Sequence, residues 1–173
     1  MNKLFILIFA LVLCAFSAYS CLAEADYDPY AEGYYMVSTA DETALAFAKD
    51  FAKSNEGLYQ QFGVKTALYL FDTMEGIDLT DDTMEALLSI HEGIVGDTAD
   101  DMVILILLDK NDYRFWLGEN VREKCSSEAL TEVIEAVKAE ENDTIFTEIA
   151  KAYMGISYRF LAASIGTQAN GGN

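Results

Sequence analysis

Basic residues, histidine, cysteine and proline are all scarce in this chain of 173 residues. Lys and Arg number 11 against 29 Asp and Glu, which gives a formal net charge of −18. Nucleic acids and anionic lipids bind through neutralising cations on the protein, so this balance disfavours both and favours cations or proteins with a basic surface. The simpler alternative is that the acidic residues serve solubility alone.

His91 is the single histidine, and it accompanies three cysteines. Any catalytic Ser-His-Asp or Cys-His arrangement would have to use it, but it shares the apolar face of a predicted helix with Leu87 and Val95. We therefore expect a hydrogen-bonded histidine at the edge of the core. A zinc site built from several imidazoles and a disulfide framework are both disfavoured. Without a histidine partner, Cys125 is expected to be unreactive.

Residues 1–25 have the pattern of a secretory signal peptide, with Lys3 ahead of a short apolar run. The run is shorter than the roughly 20 residues that a membrane-spanning helix needs, so cleavage is favoured over an uncleaved anchor. The mature protein would then be secreted, periplasmic or otherwise extracytoplasmic, without stable membrane insertion. A lipid anchor at Cys21 is the less favoured alternative.

A single domain is expected from residue 39 to residue 166. Residues 26–38 are rich in tyrosine, acid and glycine without a clear period, which predicts a linker or poorly ordered arm. Residues 167–173 are small and polar, which predicts a flexible tail.

An apolar run from Met102 to Leu108 carries the strongest structural signal, since it predicts a strand buried on both faces. A polar reversal at Asp109 to Asp112 predicts that Tyr113 to Leu117 return antiparallel, as the second strand of a hairpin. The segment Val64 to Phe71 predicts an earlier strand. A helix separates it from Met102, so the two strands should be parallel and joined by a right-handed crossover.

Helix boundaries are predicted from capping residues. They are Thr39 with Glu42 and Gly63 for the first helix, Asp82 for the second, Ser126 or Ser127 for the third, and Gly166 for the end of the last. The expected architecture is α/β, with a small mixed β-sheet of three to four strands sandwiched by helices. It combines a βαβ unit with an antiparallel hairpin.

Two groups of acidic residues should lie at opposite ends of this sheet. Asp72 and Asp109 follow the carboxyl ends of the parallel strands, with Asp112 in the hairpin corner, where solvated turn aspartates are common. The second group stands where the hairpin opens, and it consists of Asp97, Asp100, Asp101, Glu119 and Asn120.

Carboxylates together with an amide oxygen are the ligands that Ca²⁺ prefers, and Mg²⁺ suits them less. The second group therefore predicts a divalent-cation site, with ordinary surface acid as the alternative. An EF-hand loop beginning at Asp109 is rejected, because Tyr113 and Arg114 occupy the places of its fifth and sixth residues.

A strand at Val64–Phe71, an acidic pair before the buried strand, and the hairpin Asn111–Gly118 occur in this order, followed by a loop and two helices. This arrangement resembles the TPM domain family, named for plant thylakoid-lumen, photosystem-repair and nematode receptor-modulator proteins. The resemblance spans Val64 to Phe160.

The family pattern looks like Asp-Asn-Gly before the buried strand and Gly-x-Gly-Leu after the hairpin. This chain departs from it with Asp101 and Met102 in the first motif and with Asn120 and Val121 in the second. Asn tolerates the left-handed backbone that a glycine implies, so the second loop is expected to keep its shape.

The resemblance implies an α/β sandwich that faces away from the cytoplasm and in some members binds divalent cations. Weak acid phosphatase activity is attributed to plant members, and other members act through protein partners in membrane-complex repair or receptor modulation. Carried over by position, the loop-site residues are Asp100, Asp101, Gly118, Glu119 and Asn120.

Two functions follow as hypotheses. The favoured one is a noncatalytic, extracytoplasmic module for protein interaction or membrane-complex maintenance, with a cation holding its loops. The alternative is a divalent-metal-dependent acid phosphatase, in which Asp100, Asp101 and Glu119 hold an ion that activates water. The sequence pairs no nucleophile with a base, and its negative field would repel a phosphorylated substrate, so the first is preferred.

Overall fold

The computed structural model describes residues 27–74, 78–141 and 144–170, with the side chains of residues 166–170 left out. The expected signal peptide, Cys21 and residues 171–173 of the expected tail lie outside the described residues.

Four strands and five helices make up the described chain. In order they are β1 (Tyr35–Ser38), α1 (Glu42–Phe62), β2 (Lys65–Phe71), α2 (Asp81–Val95), β3 (Asp101–Leu107), β4 (Asp112–Leu117), α3 (Glu119–Lys124), α4 (Ser127–Lys138) and α5 (Ile145–Asn170). The sheet order is β1-β2-β3-β4, with the first three strands parallel and β4 antiparallel to β3. The predicted α/β class, with a small mixed sheet between helices, is confirmed.

Strand β3 is buried along its whole length, as its apolar run predicted. Its side chains alternate between two cores. Met102, Ile104 and Ile106 pack with residues of α1 and α5 on one face. Val103 and Leu105 pack with residues of α2 on the other. The central strand therefore ties the two helical layers together.

Helices α1 and α2 lie on opposite faces, although β1, β2 and β3 are neighbours in sequence order. Two successive crossovers that step the same way but use opposite faces must have opposite hands. Leu68 decides between them, because its side chain faces α1 while its N–H donates to the Tyr34 carbonyl beside β1 (2.9 Å). The chirality of an L residue then makes the β1–α1–β2 crossover left-handed, which is rare, and leaves β2–α2–β3 right-handed as predicted.

The range expected to be a linker differs from the prediction in its described part. Tyr35–Ser38 forms the edge strand β1, and Tyr27 and Tyr34 are buried in the core beneath α2. The Tyr27 hydroxyl donates to the Thr66 carbonyl (2.7 Å) and accepts from the Thr66 N–H (3.1 Å). A tyrosine can bury its ring while its hydroxyl satisfies backbone groups, so a segment without periodicity can still belong to the fold.

Two predicted helix caps are each displaced by two residues. Asp41, and not Thr39, caps α1 by accepting from the N–H groups of Thr43 and Ala44. Thr80, and not Asp82, caps α2. In both cases, neighbouring residues of similar capping ability compete, and the path of the loop decides between them.

Other helix boundaries agree more closely. Gly63 ends α1 in the left-handed conformation (φ 69°), and Ser126 caps α4, both as predicted. Helix α3 occupies a segment that was expected to be a loop. Helix α5 continues to Asn170, past the predicted end at Gly166. Within the described residues, no helix has both the length and the apolar character needed to cross a bilayer.

Candidate functional site

The end of the sheet where β3 begins and β4 finishes is the candidate site, and we call residues 97–101 and 118–120 the β3 entrance. The Gly118 N–H donates to the Asp101 carbonyl (2.8 Å), and the Asn120 N–H donates to the Ala99 carbonyl (3.0 Å). The two segments therefore meet side by side, as the predicted hairpin requires.

Gly118 makes the closest approach in this entrance. A Cβ atom at this position would lie 2.3 Å from the Thr98 carbonyl oxygen and 2.4 Å from that of Ala99. Both contacts are with backbone, which cannot rotate away as a side chain can. The glycine is thus required by space between two chain segments.

Of the five residues predicted to hold a metal, Asp100 and Asn120 are hydrogen-bonded to each other through their side chains. Asn120 donates from Nδ2 to Oδ1 of Asp100 (2.9 Å) at the surface. Asp97 instead accepts at Oδ1 from the N–H of Ala99 (2.9 Å), which braces its own turn. Glu119 is exposed in the first turn of α3.

Asp101 departs most from the predicted site, because its side chain faces the interior. It is fully buried, and its Oδ2 lies 2.9 Å from Nε2 of His91, which is fully buried as well. The backbone of Asp101 belongs to the entrance, whereas its carboxylate belongs to the core beneath α2.

His91 is hydrogen-bonded on both sides of its ring. Nδ1 lies 3.0 Å from the Tyr69 hydroxyl and 3.1 Å from the Gly33 carbonyl, while Tyr69 itself donates to Gly33 (2.9 Å). The rings of Tyr34 and Tyr69 stand edge-on to the imidazole, with centroids 5.6 and 5.9 Å away. The expectation of a hydrogen-bonded histidine at the core is confirmed.

The tyrosines around this pair are held in their neutral form. Burial, and then the negative charge of Asp101, raise the pKa of Tyr69 to about 12. The same two causes raise the pKa of Tyr34. Both hydroxyls therefore keep their protons at neutral pH, and that of Tyr69 donates to the Gly33 carbonyl.

Strand alternation carried a signal for the inward carboxylate. Asp101 shares its parity with Val103 and Leu105, whose side chains pack beneath α2, the helix that bears His91 on its apolar face. His91 was predicted on its helix, but Asp101 was expected in the loop before the strand, so the alternation was not applied to its side chain and the pair was not predicted.

No group of three or more His, Cys, Asp or Glu side chains is placed to hold a metal ion in residues 27–74, 78–141 and 144–170. At the entrance, Asp100 accepts a hydrogen bond from Asn120 Nδ2, and Asp97 accepts one from the N–H of Ala99 in the preceding turn. Calcium binding at Asp97, Asp100 and Asn120 stays a prediction.

At the other end of the sheet, the carboxylates of Asp72 and Asp109 accept hydrogen bonds from residues of neighbouring loops. Asp72 accepts from the Thr39 hydroxyl and from the N–H of Ala40 (3.1 Å), which fastens the segment leading into α1. Asp109 accepts from the Thr73 hydroxyl (2.9 Å).

Two further expectations, for Cys125 and for Asn120, can be compared with the structure. Burial raises the pKa of the Cys125 thiol, as befits an unreactive cysteine. Asn120, expected to adopt the left-handed conformation in place of glycine, lies within α3 instead. Among the non-glycine residues described, the one with positive φ is Asn111 (48°), in the hairpin corner.

No family model matches this chain, and no curated protein matches it either. Among solved structures, it is similar to the solution NMR structure of the N-terminal domain of a protein from P. gingivalis. The similarity has a TM-score of 0.58 with 14% sequence identity, and it covers 75% of this chain and 83% of that one. At this identity, the likeness shows a shared fold.

Proposed function

We propose that this protein is a noncatalytic, extracytoplasmic TPM-like module that acts through protein interaction or membrane-complex maintenance. The observation that carries the proposal is the buried pair of His91 and Asp101. His91 is the single histidine, and Asp101 has the most deeply buried carboxylate of the entrance. The two side chains bind each other in the interior, where neither can contact a substrate.

The competing phosphatase would need Asp100, Asp101 and Glu119 to converge on one ion. The carboxylate of Asp101 points beneath α2 to His91, and that of Asp100 lies at the surface against Asn120. Their geometry favours a structural role for both. An interaction role instead uses the exterior, whose excess of acid suits a partner with a basic surface.

An activity measurement tests this choice. The purified mature chain is incubated with a generic aryl phosphate and Ca²⁺ or Mg²⁺, beside the Asp100→Ala variant and a reagent blank. We expect both proteins to match the blank. Hydrolysis above the blank that needs the metal and is lost in Asp100→Ala would replace this proposal with the phosphatase.

The metal itself is tested by thermal unfolding with Ca²⁺ and with a chelator. A cation held by Asp100, Asn120 and Asp97 lies at the surface with few carboxylates, so we expect a weak site and a midpoint that moves by about 2 °C or less in millimolar Ca²⁺. A larger rise that disappears in Asp100→Ala would make calcium an integral part of the module.

Localisation is tested by sequencing the amino terminus of the mature chain from fractionated cells. We expect the chain outside the cytoplasm, beginning near residue 21 to 26. A chain that retains Met1 and remains in the cytoplasmic fraction would contradict the extracytoplasmic part of the proposal.

A further inference from the structure

Helix α2 has an outer face that is apolar in the middle and acidic along one side. Ala86, Ile90, Gly93 and Ile94 recur at spacings of three and four, so they line one face of the helix. All four are exposed, with Ile90 and Ile94 at 56% and 42%. Apolar side chains placed in a row on the surface are a common mark of a contact site.

The charges along this face have one sign. Asp82, Glu85 and Glu92 lie on the same flank of the stripe, and α2 contains no Lys or Arg. None of the three is in an ion pair with a cation of the described residues. Their field is therefore available to a partner and is not already neutralised within the fold.

The opposite flank of the stripe is closed by the protein itself. Ile94 and Val95 pack against the segment at Gly33, where an added Cβ would lie 2.9 Å from Ile94 Cγ2 and 2.6 Å from Val95 Cγ1. A partner bound to this face would thus contact the segment at Gly33 on one side and the carboxylates of the acidic flank on the other.

We propose that the outer face of α2 docks a cationic amphipathic segment of a protein partner, with its apolar side on Ile90 and Ile94 and its Lys or Arg residues toward Glu85 and Glu92. This rests on the proposed function, since it names the partner chemistry and the surface of the interaction module. Charge complementarity selects this occupant.

Two other occupants fit less well. A second copy of this chain would bring together two chains that each carry a formal charge of −18, and antiparallel packing of two α2 faces would set the acidic flank against itself. An anionic membrane would be repelled by the same carboxylates. Both are kept as outcomes of the test.

The probe is a synthetic helical peptide of leucine and lysine with apolar residues at spacings of three and four, beside a scrambled peptide of identical composition. Binding is measured by fluorescence anisotropy at physiological salt and mapped by NMR amide shifts. We expect shifts centred on residues 86–94. We also expect dissociation constants that rise about tenfold in Ile90→Ser and in the double variant Glu85→Lys/Glu92→Lys.

Matched controls are available elsewhere on the surface. Ile165 on α5 is 60% exposed, a fraction similar to the 56% of Ile90, so Ile165→Ser removes an isoleucine of similar exposure. Glu128 and Glu135 on α4 are seven residues apart, as Glu85 and Glu92 are. Neither Ile165→Ser nor Glu128→Lys/Glu135→Lys should change the affinity by more than about twofold.

Each remaining outcome overturns the inference. Equal loss in control and test variants, or equal binding of the scrambled peptide, would mean a general attraction of cations to an acidic protein. Shifts centred on α5 would move the docking surface while leaving an interaction module in place. Self-association, or capture by vesicles rich in anionic lipid, that is lost in Ile90→Ser would assign the face to a second copy or to a membrane. Failure of the proposed function would appear separately, as aryl phosphate hydrolysis lost in Asp100→Ala.

Discussion

At the carboxyl end of the parallel strands, Asp72 and Asp109 accept hydrogen bonds from the neighbouring loops at or near the surface. At the β3 entrance, the Asp101 side chain lies in the core against His91. The preceding residue, Asp100, is hydrogen-bonded to Asn120 at the surface. All of these aspartates lie at or near the end of a strand, so neither residue type nor that position explains why only one of them is buried. The face of the strand toward which the side chain points decides whether an aspartate supports the core or a surface loop.

The largest expected effect comes from Gly118→Ala at the β3 entrance. Its Cβ would collide with the backbone carbonyls of Thr98 and Ala99, so we expect a loss of about 3 kcal/mol in the free energy of unfolding, measured by urea denaturation. Gly93→Ala is the matched control, since nothing lies within 4 Å of its Cβ position in α2. It should stabilise the protein by about 0.5 kcal/mol. Similar behaviour of the two variants would mean that the entrance is looser than the structure describes.

Asp101→Ala should follow, with a loss of about 2 kcal/mol, because it leaves Nε2 of His91 without its partner in the core. The neighbouring Asp100→Ala removes a surface hydrogen bond and should cost only about 0.5 kcal/mol. Denaturation midpoints of the two variants measure the contrast. Equal losses would remove the distinction drawn between the inward and the outward carboxylate.

Asp72→Ala probes the opposite end of the sheet. It deprives Thr39 and the N–H of Ala40 of their acceptor, at a partly exposed site, so the expected loss is about 1 kcal/mol. Hydrogen exchange should quicken most at the start of α1. Protection lost equally throughout the sheet would show that this carboxylate supports the core and not only its loop.

The smallest effect at neutral pH concerns Tyr69 and emerges in alkali. An unfolded tyrosine ionises near pH 10, whereas the folded pKa of Tyr69 is about 12. Between these values the unfolded state gives up its proton first, so stability is complete below pH 10 and declines as the pH rises toward 12. Urea midpoints at about pH 8 and about pH 11 should fall less in Tyr69→Phe than in the parent. Tyr158→Phe, at an exposed residue, is the control. An equal fall in Tyr69→Phe and the parent would mean that Tyr69 ionises normally.

The elements were predicted well where a single period dominates. The run from Met102 to Leu108 is β3 almost residue for residue, and the turn at Asp109–Asp112 produces the hairpin. The edge strand β1 was not predicted, because four residues paired on one side give no periodic signal. Local spacing also cannot show that Tyr27 closes the core through the backbone of Thr66, which is 39 residues away.

The candidate site was predicted in its backbone and only partly in its side chains. Hairpin geometry correctly brings residues 97–101 beside residues 118–120, and Asp100 does meet Asn120. The inward turn of Asp101 was missed because this residue was expected in the loop before the strand, whereas it is the first residue of β3 and follows the alternation of that strand. The right-handed rule places α2 correctly, but it fails for α1, whose left-handed crossover puts that helix on the opposite face.

The sequence by itself determined the class of fold, the buried central strand and the hairpin, because hydrophobic period and turn residues act between near neighbours along the chain. Tertiary structure alone decided that His91 and Asp101 pair in the core, that Tyr35–Ser38 adds an edge strand to the sheet, and that α2 keeps an apolar stripe outside. These features depend on which surfaces of distant segments are covered, and burial of that kind is a property of the packed whole.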